Sequence, residues 1–283
     1  MLDRNDLVLS VKTPVFMAKE FFHRLPDPRF RHDFSPLRED IDLDEALLQL
    51  KRDGIVSFPA YFGGEFLGQL RDRFERIIAD HSIGGGINPE CDFCENVLQY
   101  DRVFVEAALD STLLELISRY YRKGFGIGRA DAMRIRPLEE SRYGSFQWHH
   151  DTRGRQIKAQ ILLTDVAEDG QRMTYLKGTH ATYYTRKRGR GPGSRFEFDM
   201  NARPDIAERV VNVTGPAGTV TLFDTNGLHS GNRNLTATRD NITIYYPTAG
   251  NFKEMHYQRA HLEDLPEEKR RVIQFNPLHK FVQ

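Results

Sequence analysis

The run Trp148-His149-His150-Asp151 sets a histidine and an aspartate two positions apart. In an extended segment both side chains project to one face, while His150 points away. A further histidine, His229, stands eighty positions after His149, and Arg239 follows ten later. Two imidazoles and one carboxylate on one face of a metal leave the opposite positions open, the ligand set of non-haem Fe(II) oxygenases. Arg239 adds a permanent charge on a planar fork, suited to a carboxylate such as the distal end of 2-oxoglutarate.

Such residues work only if rigid elements hold them. Residues 1–40 alternate short apolar runs with Pro26, Pro28 and Pro36 and read as an irregular arm. Asp42-Leu-Asp-Glu45 resembles a helix start, with a stop at Gly54. Ile55–Phe62 reads as a strand, Glu65–Asp80 as an amphipathic helix, and Ser111–Lys123 as a helix ended by Gly124. Beyond this the apolar segments become short and β-rich: Ile127–Ile135, Ile157–Leu163, Val210–Val213, Thr219–Phe223 and Asn241–Tyr246. Gly and Pro punctuate them, which favours a sandwich or barrel over βαβ units. The economical picture is a mainly β fold with supporting α-helices. One domain spans 41–283, with helical support over 41–124, a jelly-roll core from about 125 to 250, and an extension over 251–283. The apolar strand from Gly218 delivers His229 at its end, between Gly227 and Gly231, which permit close backbone approach.

Bulk composition narrows the classes. The 283 residues contain 40 Lys+Arg and 40 Asp+Glu, so no global field favours nucleic acid or an anionic membrane. No stretch approaches the ~20 apolar residues of a membrane helix, and the N-terminus lacks the basic and apolar regions of a secretory signal. The expectation is a cytoplasmic protein. The two cysteines, Cys91 and Cys94, form a single CxxC without the two further ligands of a closed zinc site, and read as reduced thiols.

The order of these motifs resembles the phytanoyl-CoA dioxygenase family of Fe(II)/2-oxoglutarate-dependent oxygenases. Trp148-His149-His150-Asp151 matches its Trp-His-x-Asp element, and Lys177-Gly178-Thr179-His180 its Pro-Gly-Ser-His-like turn. Gly218–Phe223 then leads to His229 and Arg239, and Asp53–Phe62 looks like the family's opening strand. The resemblance covers about residues 44–247; Lys177 stands where Pro is usual, and Tyr183–Arg203 matches no family pattern. It implies a double-stranded β-helix (jelly roll, cupin-like) with Fe(II) held by His149, Asp151 and His229. The co-substrate 2-oxoglutarate would place its far carboxylate on Arg239, with Gln160 and Phe146 beside it. O2 would then drive oxidative decarboxylation to succinate and CO2, coupled to hydroxylation of a C–H bond in a small molecule. Related halogenases lack the carboxylate that Asp151 supplies. Desaturation and ring formation use the same ligand set, and a non-catalytic cupin-like binding protein is the rival from another class.

Two features stand apart. Arg186–Arg195 carries five positive side chains and no acid. It reads either as a solvated loop or as a lid in which Arg186, Lys187 and Arg188 meet an anionic substrate. His180 reads as a structural turn residue rather than a metal ligand.

Overall fold

Alternation along the strands decides which side chains meet. The computed structural model describes residues 25–27, 30, 33–81, 91–137, 148–151, 156–181, 204–231, 237–250 and 252–282. Its helices are α1 (Leu43–Asp53), α2 (Gly64–His81), α3 (Arg102–Ala108), α4 (Ser111–Tyr121), α5 (Pro204–Ala207) and α6 (Glu267–Gln274). Its strands are β1 (Ile55–Phe58), β2 (Cys91–Glu95), β3 (Arg129–Ile135), β4 (Gln156–Leu162), β5 (Met173–Leu176), β6 (Val210–Val213), β7 (Val220–Asp224), β8 (His229–Gly231), β9 (Arg239–Pro247), β10 (Met255–Gln258) and β11 (His279–Val282). An antiparallel six-stranded sheet runs β1-β7-β4-β9-β3-β2, and a three-stranded sheet runs β6-β5-β8.

The large sheet has two chemically different faces. Val56, Leu222, Ala159, Ile244 and Ala130 share one face and join a single apolar core with Leu50 of α1, Phe74 of α2, Phe104 of α3 and Ile117 of α4. The register places Ser57, Thr221, Gln160, Thr243 and Asp131 side by side on the other face, one polar rung across five strands. Ser57 and Thr221 are joined by a 2.8 Å hydrogen bond. Ile55 and Phe223, also on this face, pack with Met173 and Tyr175 of β5 and Val213 of β6. The polar face therefore looks towards the small sheet. This is the two-sheet jelly roll expected of a double-stranded β-helix; among the described residues no pairing closes it into a barrel.

The helices begin where the sequence signals them. Asp42 accepts from the backbone N–H groups of Asp44 and Glu45, both at 3.0 Å, and caps α1. Gly54 ends that helix at φ +81°, and a Cβ there would lie 2.4 Å from both His180 Nδ1 and Tyr175 Oη. Two elements stop earlier than expected. β1 ends at Phe58 because Pro59 has no N–H to continue the ladder. α4 ends at Tyr121, with Arg122 rather than Gly124 taking the left-handed cap at φ +54°. The N-terminal region is also more than a helical support, since β1 and β2 form the two edges of the large sheet.

Candidate active site

The site is assembled where the small sheet meets the end of β7. His149 and His229 exchange two backbone hydrogen bonds of 2.9 Å, and the Asp151 N–H donates to the Thr225 carbonyl at 3.0 Å. Backbone pairing thus sets all three side chains in register. Gly227 has to be glycine for this: a Cβ there would lie 1.8 Å from the Tyr175 hydroxyl. His180 plays its part from outside, with Nε2 3.1 Å from the Lys51 carbonyl and its own carbonyl accepting from Asn226 Nδ2 at 2.6 Å. It steadies the 224–228 turn. At the neighbouring departure from the family pattern, the Lys177 N–H donates to the Arg209 carbonyl at 2.9 Å, a bond no proline could make.

His149, Asp151 and His229 offer one ligand atom each, all within 4.8 Å of one another. Asp151 Oδ1 lies 3.4 Å from His149 Nε2 and 3.7 Å from His229 Nε2. Neighbouring ligands around one ion at ~2.1 Å stand roughly 3 Å apart, so small side-chain adjustments complete the shell. His229 Nδ1 lies 2.9 Å from the Gly227 carbonyl, which can only accept. The proton is therefore on Nδ1 and the Nε2 lone pair faces the cluster, as a metal ligand requires. Both imidazoles are more than nine-tenths buried. Burial opposes ionisation of Asp151, but the charge of the Lys158 ammonium outweighs it and holds the carboxyl well below its usual range. Lys158 Nζ lies 2.5 Å from Asp151 Oδ2.

Arg239 opens β9 on the lumen face and is 6% exposed. Its Nη1 donates to the Gln171 carbonyl at 2.6 Å and its Nε to Asn241 Oδ1 at 3.2 Å. Among the described residues no carboxylate pairs with it, and burial pushes the guanidinium down to about 10. A buried cation in this state is a natural seat for an organic anion. Gln160 lies on the same lumen face, opposite Thr243, with its Oε1 buried and unbonded among the described residues. Phe146, Arg186, Lys187 and Arg188 lie outside the described residues. Lys158 escaped notice in the sequence, although its place between Ile157 and Ala159 in a β-rich segment was a usable signal.

Comparisons with known proteins bear on the sequence span and on the fold. Residues 140–240 match the phytanoyl-CoA dioxygenase (PhyH) family model, a span that holds His149, Asp151, His229 and Arg239. Over 255 residues the chain is 25% identical to the ectoine dioxygenase of Stutzerimonas stutzeri (strain A1501), covering 77% of this chain and 83% of that protein. Among solved structures, iron-bound EctD from S. alaskensis superposes with a TM-score of 0.58 at 20% identity, over 81% of this chain and 84% of that one. The epimerase SnoN, in complex with Fe3+, alpha ketoglutarate and nogalamycin RO, gives a TM-score of 0.58 at 19% identity, over 80% and 90%. These structures share their fold with this chain.

Proposed function

We propose that this chain is an Fe(II)/2-oxoglutarate-dependent dioxygenase that hydroxylates an unactivated C–H bond of a small molecule, releasing succinate and CO2. The observation that carries it is the convergence of His149 Nε2, His229 Nε2 and Asp151 Oδ1, with the His229 tautomer set by the Gly227 carbonyl. In this reading His149, Asp151 and His229 hold the iron, and Arg239 receives the far carboxylate of 2-oxoglutarate. Gln160 donates to the same co-substrate from β4, and Phe146 flanks it. Iron with 2-oxoglutarate and O2 supplies the oxidising power; the chain's residues bind, orient and exclude water. The acidic ligand Asp151 favours hydroxylation over halogenation.

The substrate side of this reading rests on the sequence. Arg186, Lys187 and Arg188 would meet an anionic group on the small molecule, and neutralising all three would raise substrate KM while leaving 2-oxoglutarate affinity intact. A cytoplasmic setting fits Cys91 and Cys94, which lie on β2 three residues apart, hence on opposite faces, and do not pair with each other.

Slow, substrate-independent conversion of 2-oxoglutarate to succinate under air, with Fe(II) added, tests the proposal. It should require the three proposed ligands, and His149→Ala, Asp151→Ala and His229→Ala should each abolish it. Tight metal retention without any succinate, across a broad substrate screen, would instead make the chain a cupin-like binding protein.

A further inference from the structure

Asp151 divides its two oxygens between different partners. Oδ1 is the atom that faces the imidazoles, at 3.4 and 3.7 Å, whereas Oδ2 lies 2.5 Å from the Lys158 ammonium. Lys158 reaches this point because β4 alternates. Ile157 and Ala159 turn into the helix-packed core, so Lys158 faces the lumen between its register partners Phe223 and Tyr245. Its Nζ sits 4.5 Å from the Tyr245 ring centroid and 5.9 Å from that of Phe223, and its side chain is 12% exposed. Two aromatic faces and one carboxylate therefore fix a normally flexible ammonium. An ammonium buried this deeply needs its carboxylate, and the carboxylate needs its cation.

A metal-ligating carboxylate can bind through one oxygen or through both. Binding through both would take up a position that a two-atom co-substrate and O2 need. We infer that Lys158 is a positioning residue that occupies Oδ2 and so commits Asp151 to one-oxygen ligation, keeping three positions on the metal open. The inference rests on the reading of His149, Asp151 and His229 as metal ligands. It assigns a role to a residue that touches neither co-substrate nor reacting atoms. Its effect is on the geometry of a ligand, the kind of outer partner whose loss costs about 10- to 100-fold in metal-site properties.

The test uses Co(II) as the probe metal, under anaerobic conditions, with the full chain as wild type, Lys158→Met and Lys158→Arg. X-ray absorption or a crystal structure of each Co(II)-loaded protein reads the ligation of Asp151. Titration reads the dissociation constant for 2-oxoglutarate. Wild type should show one Asp151 oxygen on cobalt. Lys158→Met, of similar length but without charge, should show two, with 2-oxoglutarate bound about tenfold more weakly. Lys158→Arg, whose guanidinium still donates to Oδ2, should keep the wild-type ligation and affinity to within about threefold. Where circular dichroism shows Lys158→Met unfolded, Lys158→Gln is measured in its place with the same expectation. One-oxygen ligation and unchanged 2-oxoglutarate affinity in the neutral variant would overturn the role of Lys158. Folded wild-type protein that binds no Co(II), or binds it without Asp151, would instead overturn the ligand assignment beneath it.

Discussion

Two buried cations face the same lumen under opposite conditions. Lys158 has its anion within the chain, 2.5 Å away on Asp151. Arg239, at the far end of the neighbouring strand β9, donates only to a carbonyl and an amide oxygen, and no carboxylate among the described residues answers it. The first is an internal ion pair that shapes a ligand; the second is an anion site held ready. Their side-chain chemistry follows the division. A lysine ammonium is a compact point charge that can settle on one oxygen, whereas the arginine fork matches both oxygens of an incoming carboxylate. Burial alone does not distinguish a structural cation from a binding one; the presence or absence of its counter-charge does.

Substitutions can break this contrast at either end. The largest effect is expected from Asp151→Ala, which removes a proposed ligand and strands Lys158. Succinate formation should vanish, and the folded protein should lose about 3–5 kcal/mol in urea denaturation, the usual penalty for orphaning a buried charge. Leu222→Ala, on the helix-packed face of β7, is a control for the other side of the sheet. It should cost about 2–5 kcal/mol through the cavity it leaves, yet leave metal affinity in the folded protein unchanged by isothermal titration. Arg239→Met should behave in the reverse way. Without 2-oxoglutarate its stability should stay within about 1 kcal/mol of wild type, because two modest hydrogen bonds are exchanged for relief of a buried charge.

A smaller effect is expected at Asp131, on the polar rung next to that of Lys158. Burial pushes its carboxyl up to about 6, although Arg129 draws it down. The folded state therefore holds a proton that the unfolded chain, titrating near 3.8, has released. Stability contributed by this group is complete below about pH 4 and is lost as pH rises towards 6, by at most about 3 kcal/mol. Asp131→Asn should flatten the stability profile between pH 4 and 6 in thermal melts; an unaltered profile would place the titration elsewhere.

Much of this arrangement was legible in the residues. His149 and Asp151 share one side and Arg239 opens its strand, as those patterns imply, because backbone geometry over a few residues determines them; His229 instead opens β8 of the small sheet, since the strand from Gly218 stops at Asp224 and pairing with His149 takes over. The strands over 129–135, 156–162, 210–213, 220–224 and 239–247 fall close to their apolar runs for the same reason. Non-local pairing hid the rest. Cys91–Glu95 has no strong strand pattern, yet it becomes an edge because β3 offers it a partner. Lys158 sits in a recognised strand, but its importance depends on Asp151, which reaches it only through pairing with the Thr225 backbone. Strand β11 and helix α6 form in a segment read only as an extension, supported by packing of Val272 and Ile273 into the main core.

The most direct measurement is an anaerobic titration of apo-protein with Fe(II) and 2-oxoglutarate, following the weak visible charge-transfer band of the chelate, in wild type and Arg239→Ala. The account predicts a band in wild type and the same band in the variant only at co-substrate concentrations about 100-fold higher, the order expected when a bidentate charge-assisted contact is lost. Folded, iron-loaded wild type that develops no band, or a variant that titrates identically, would contradict it.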